Sequence, residues 1–111
     1  MSRPIPKKLL IHSATHKYGP DKDAWGNIVY AGTRELIRVR IEPTEKRVLG
    51  KDNTEVQLNS LMFYDCVNSK PAGVIFEIED AISFGGTDYI IVSIDPLSDE
   101  SKLHHYEIGL V

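Results

Sequence analysis

Cysteine is almost missing from this chain: Cys66 stands alone among 111 residues. An internal disulfide is therefore impossible and a cysteine-rich zinc site cannot be drawn, so the fold must be held by its core. Long apolar runs are missing too. Leu9, Leu10 and Ile11 follow a basic opening, but His12 and Ser13 end the run. It is far shorter than a signal-peptide core or the roughly 20 apolar residues of a membrane helix, and the expectation is synthesis in the cytosol. No window of 11 or more residues carries a 3.6-residue apolar repeat, which predicts short helices or none. Nor is there a phosphate-binding glycine motif, since Gly85-Gly86 fits neither GxGxxG nor GxxxxGK.

What is present is material for one core. Hydrophobic residues make up 41% of a chain with room for a single domain. The net charge of −3 argues against general affinity for nucleic acid, which depends on clustered Lys and Arg. The charge is uneven along the chain: residues 1–51 hold 11 basic and 5 acidic side chains, and residues 52–111 hold 2 basic and 11 acidic. Either strands from the two halves interleave and mix these charges, or a basic edge of one copy meets an acidic edge of the next.

The dominant period is 2, the strand signature. Pro4 and Pro6 predict an extended arm over residues 1–7, followed by a strand from Lys8 to His16. Tyr18 to Gly26 reads as a loop punctuated by Gly19-Pro20, and Asn27 to Tyr30 as a short strand turning at Ala31-Gly32. From Arg34 to Pro43, Ile37, Val39 and Ile41 share one face and the arginines the other, with Pro43 as the stop. Thr44 to Thr54 is polar, a long loop or mobile hairpin tip. Glu55 to Asp65 changes phase after Leu58, as a β-bulge or a change of surroundings produces. Val67 to Gly73 is a further loop. Ala81 to Phe84, Gly85-Gly86 and Tyr89 to Asp95 form a hairpin whose central glycines allow positive φ. Its second arm puts Ile90, Val92 and Ile94 on one face. Pro96 to Leu103 reads as a polar crossover, and His104 to Val111 as the last strand, with Tyr106, Ile108 and Leu110 together. The prediction is an all-β fold, a small antiparallel barrel or sandwich of six to seven short strands with long polar loops.

Chemistry is sparse, and no enzyme is expected. His12 and His16 would lie roughly 13 Å apart on a strand, too far to share an ion, and the adjacent His104 and His105 would point to opposite faces. No metal or other cofactor is expected. Cys66 reads as a small buried hydrophobe, and Trp25 as a core plug. Asp95, Asp99 and Glu100 read as a solvated loop. A pocket where histidine and carboxylate meet would overturn this reading. Arg34, Arg38 and Arg40 form a basic stripe on one strand face, with Arg47 beyond it. The stripe supports either contacts between subunits or, as the alternative, an OB-like barrel binding single-stranded nucleic acid, although no stacking aromatic lies in that strand. The candidate partner contacts are Arg34, Arg38, Arg40, Arg47, Lys51, Asp52, Asn53 and Lys70.

Several local patterns in order carry a resemblance. They run from Pro4-Ile5-Pro6-Lys7-Lys8-Leu9-Leu10-Ile11-His12 through Asp23-Ala24-Trp25-Gly26 and Arg38-Val39-Arg40-Ile41-Glu42-Pro43. Phe63-Tyr64-Asp65-Cys66-Val67-Asn68-Ser69, Gly85-Gly86-Thr87-Asp88-Tyr89 and the closing residues 104–111 complete them. Together they resemble the minor capsid protein family of phages and prophages of Gram-positive bacteria, and more loosely phage head–tail joining or stopper proteins. The resemblance covers nearly the whole chain through the order of its patterns, and it brings no catalytic residues. It implies a β-barrel-like subunit made in the host cytoplasm that forms a homo-oligomeric ring beneath the portal of the virion. That ring would touch portal or adaptor and tail proteins while phage DNA passes without specific binding. By order along the chain, Thr44–Thr54 and Cys66–Gly73 fall where stopper proteins carry assembly-dependent segments.

Overall fold

Ala14 and His16 are buried while Ser13 is exposed and Thr15 half-buried, the alternation of a strand with one face on a core. In the computed structural model, which describes residues 4–50, 52–99 and 102–111, this strand is β1 (His12–Lys22). After it come β2 (Ile28–Pro43), β3 (Arg47–Leu49), β4 (Glu55–Gln57), β5 (Ser60–Asp65), β6 (Ala81–Phe84), β7 (Thr87–Asp99) and β8 (Lys102–Leu110). A 3-10 turn, Lys7–Leu9, precedes them where a strand was expected to begin.

Six strands pair antiparallel in the order β1-β2-β5-β8-β7-β6. β6 returns to β1 at Thr15, His16 and Lys17, so the sheet closes on itself as a barrel. β3 and β4 form a separate two-stranded hairpin. The all-β barrel expectation holds, but the strands are longer than predicted: β2 spans 16 residues and β7 spans 13. The core is built from Leu36, Val39 and Ile41 of β2, Met62 and Tyr64 of β5, Ile82 of β6, Ile91 of β7, and Ile108 and Leu110 of β8. Between β5 and β6 an irregular segment dips inward, burying Val74 and Phe76 while leaving Ile75 exposed. The Phe76 ring meets Tyr64 edge-on, with centroids 5.2 Å apart.

Four local expectations need correction. Tyr18–Gly26 is not a loop, because β1 continues to Lys22, and β2 runs straight through Ala31-Gly32. Pro20 is tolerated because β6 has ended by Lys17, so that edge of β1 is free of a third strand. Pro96–Leu103 is not a crossover. β7 and β8 pair as far as Asp99 and Lys102, in a stretch of β7 that β6 leaves free beyond Ile90. Glu55–Asp65 is two strands in different sheets, separated at Leu58 and Asn59.

Three bulges explain the remaining errors of face. Ser13 pairs with Ile37 and His12 with Val39, so Arg38 is an extra residue, held at φ 56°. Leu36 therefore points inward and Ile37 outward, against the expected grouping of Ile37 with Val39 and Ile41. On β7 the pairing skips Val92, and the core takes Tyr89, Ile91 and Ile94 in place of the predicted Ile90, Val92 and Ile94. The pairing also skips His104, which brings two neighbouring histidines together. By contrast, Gly85 and Gly86 turn at φ 60° and 81° between Phe84 and Thr87, as the hairpin required.

Candidate assembly surfaces

The bulge at Arg38 breaks the arginine stripe. Arg34 lies directly across from the buried His16 and leans over the Tyr18 ring, its Cζ 4.2 Å from the centroid. Its Nε is buried and makes no hydrogen bond to the described residues. Two residues past the bulge, Arg40 alternates with the buried Val39 and Ile41 and therefore faces outward. It donates from Nε to Glu42 (3.0 Å) and from Nη1 to the Leu9 carbonyl (3.2 Å). Arg34 and Arg40 thus serve opposite faces of β2. The single basic face required for single-stranded nucleic acid does not form.

The other predicted contacts scatter in the same way. Arg47 pairs with Glu55 at 3.2 Å across the β3–β4 hairpin. In the turn of that hairpin, Asp52 accepts the Thr54 hydroxyl (2.6 Å) and Asn53 stands at φ 66°. Hydrogen bonds from Thr54 lower the Asp52 carboxyl below its ordinary value. Lys51 lies outside the described residues. Lys70, however, exchanges two backbone hydrogen bonds with Ile37, at 2.9 and 3.0 Å, which sets it beside Arg38. The fold gathers Arg38, Arg40 and Lys70 and sends the rest elsewhere.

A groove adjoins this cluster on the outer face of β2, β5 and β8. Its walls are Ile5, Leu9 and Leu10 from the N-terminal segment and Arg40, Glu42, Phe63 and His105 from the strands, around a volume of about 430 Å³. Asp65, wholly buried at the end of β5, holds the segment in place. Its carboxylate accepts the N–H groups of Ile5 (2.9 Å), Val67 (2.9 Å) and Asn68 (2.7 Å), and the Asn68 amide donates to the Ile5 carbonyl (2.8 Å). Lys7 and Lys8 are exposed on the 3-10 turn, as are Leu9, Ile11, Ile37 and Val67 nearby in the chain or in the register. Cys66, expected to be buried, is half-buried; burial and then the Asp65 charge raise its thiol pKa.

A second surface comes from the far end of β1 and β2. Their pairing continues to Lys22 and Ile28, while β6 stops at Lys17 and β5 begins only at Val39. The outer part of the hairpin is thus a two-stranded arm. At its tip the Asp23 carboxylate accepts the N–H groups of Trp25 and Asn27, both at 2.9 Å, and Gly26 supplies φ 82°. These backbone donors hold the Asp23 carboxyl below its usual range. Trp25, expected in the core, is 86% exposed, and Ile28 and Val29 beside it are exposed as well. The turn chemistry of Asp23 to Gly26 was the available signal: a side chain at the crest of a tight turn has little to pack against.

Histidine and carboxylate do meet in this fold, but inside it. His16 Nε2 lies 2.7 Å from Asp80 Oδ2, with side chains 0% and 2% exposed. Burial lowers the His16 pKa, and Asp80 opposes the shift. His12 Nδ1 accepts the Ile41 N–H (3.0 Å). His104 and His105, predicted to diverge, share a hydrogen bond between their Nδ1 atoms (2.8 Å). Among the described residues, no three His, Cys, Asp or Glu side chains are grouped to hold a metal ion.

The family model for "Minor capsid protein" matches residues 6–110. The chain belongs to the minor capsid protein family. No curated protein sequence matches it. A minor capsid protein has a structural role in the phage particle and assembles there with other phage proteins. No helix of the described residues is long and apolar enough to cross a membrane. In a minor capsid protein the exposed groove and the Trp25 arm are candidate places for contact.

Proposed function

We propose that this minor capsid protein is a head–tail connector subunit. It forms a ring beneath the portal, joins the DNA-filled head to the tail, and acts through its interfaces and not through catalysis. The observation that carries this reading is the pairing of a closed barrel with two unlike surfaces, the projecting Trp25 arm and the recessed groove behind Lys7 and Lys8. Barrel closure confines free strand edges to the outer β1–β2 and β7–β8 stretches, which limits indefinite strand addition. Two different surfaces on one subunit are what a head-to-tail contact needs, and such contacts close into rings when their rotation permits. The net charge of −3 suits a channel through which DNA passes without being held. The chemistry of the His16–Asp80 pair is enclosed by the core, which supports a packing role.

Electron microscopy of particles assembled without this chain tests the proposal. Filled heads and separate tails should accumulate, and gold-labelled antibody on complete particles should mark the single head–tail vertex. Tailed particles in its absence, or label spread over the capsid faces, would reject the connector role.

A further inference from the structure

We infer that the Trp25 hairpin of one copy docks into the Ile5–Leu9–Phe63 groove of the next copy. This rests on the ring reading and names its contact. Trp25 is 86% exposed on a tip whose turn is already held by the Asp23 carboxylate, so the indole is presented without any intramolecular use. The groove has an apolar floor, with Arg40 in its wall to meet the face of an indole. Their charges are complementary. The tip carries Asp21 and Asp23 around Lys22, while the exposed Lys7 and Lys8 precede Leu9 at the groove. The exposed Arg38 and Lys70 lie on and beside β2, and in the wall itself Arg40 is paired with Glu42. The larger apolar trough lined by Leu49, Ile78 and Val92 is a poorer receptor, because its wall holds the acidic Glu79 and no cation, whereas the groove wall holds Arg40 beside Glu42.

The contact must join two copies. From Ile28 to Arg40 the chain runs along β2 for 12 residues, roughly 40 Å at about 3.3 Å each, in a molecule whose longest dimension is 50 Å. An arm tip cannot reach its own groove. Tip and groove differ, so each copy gives one and receives one, the heterologous geometry of a ring.

Trp25 is the only tryptophan, so its fluorescence reports this contact alone. Sedimentation and emission are measured together over a concentration series for the full chain, Trp25→Ala and Leu9→Asp, both substitutions being at exposed sites. The wild type should self-associate with a blue-shifted, iodide-protected indole. Each variant should associate roughly thirty-fold more weakly or worse, as loss of an interface anchor implies. A mixture of the two variants should give a heterodimer that grows no further, since Trp25→Ala keeps the groove and Leu9→Asp keeps the arm. A wild type that stays monomeric at its highest attainable concentration, or a mixture that stays monomeric, overturns the contact. Assemblies in which Trp25 remains open to iodide overturn it while leaving the ring standing. A heterodimer in particles whose label is absent from the head–tail vertex supports the contact and rejects the connector role.

Discussion

An imidazole buried beside a carboxylate is pulled two ways, and at His16 burial prevails: its pKa lies below the ordinary 6.5 despite Asp80. The unfolded chain therefore takes up this proton at a higher pH than the folded chain does. The stability this provides is present above about pH 6.5 and is lost as the pH falls below it, towards the folded value. Urea denaturation at pH 7.5, 6.0 and 5.0 should show falling stability, and His16→Leu should flatten that fall. Asp23, Asp52 and Asp88, whose carboxyls are lowered by hydrogen bonds, act in a separate and more acidic window below about 3.8. They are exposed or nearly so and contribute little. Asp65 works by geometry. Removing its carboxylate strands three backbone donors, so Asp65→Ala should cost about 2–4 kcal/mol and loosen the N-terminal wall of the groove. Denaturation midpoints and exchange at the Ile5 amide measure the two effects. An unchanged Ile5 amide would remove Asp65 as the organiser of the groove.

At the level of elements, the contrast is between strands held on both sides and strands held on one. Amides of the arm, in residues 18–22 and 28–33, have no third strand, whereas those of Ile108 and Leu110 lie between β5 and β7. Hydrogen exchange should therefore be faster in the arm than in β8 in the free chain. Equal protection of both would mean that the arm is not an independent ribbon. This distinction also decided what could be read from sequence. Gly85-Gly86 was legible because two adjacent glycines between alternating strands have one good use. Pro43 was legible because β2 ends there. Gly19-Pro20 and Pro96 were misread as breaks because a proline also fits a free edge, and which edges are free depends on where distant β6 starts and stops. Of the groove, Arg40 is legible from sequence, as are Arg38 and Lys70 beside it, but their placement rests on a bulge at an arginine, a residue with no local preference for positive φ. Trp25 was misplaced because a large aromatic side chain is far more often buried than raised on a turn.

Across the whole molecule, charge is neither mixed throughout nor divided between halves. Lys17–Asp88 (2.9 Å) and Lys46–Asp95 (3.9 Å) tie the basic half of the chain to the acidic half. Of the other exposed cations, Arg47 pairs with Glu55, Lys22 sits between Asp21 and Asp23 on the arm, and Lys102 opens β8. Lys7, Lys8, Arg38 and Lys70 lie on the N-terminal turn and at or beside the bulge, while Glu77 and Glu79 are exposed on the segment leading to β6. A subunit with this polarity should associate in a salt-sensitive way. Raising ionic strength from physiological to 1 M shortens the screening length from about 8 Å to about 3 Å, weakening attraction between the arm carboxylates and the groove cations. The apolar part of the contact survives screening, so association should weaken without disappearing. Lys70→Glu tests the electrostatic share. Its side chain is exposed and its backbone bonds do not depend on it, so the fold should be kept while association weakens at low salt. The gap between mutant and wild type should then narrow as salt rises. Sedimentation across a salt series reads both quantities. Association that strengthens with salt in both proteins would show apolar burial acting alone, with no role for the clustered cations.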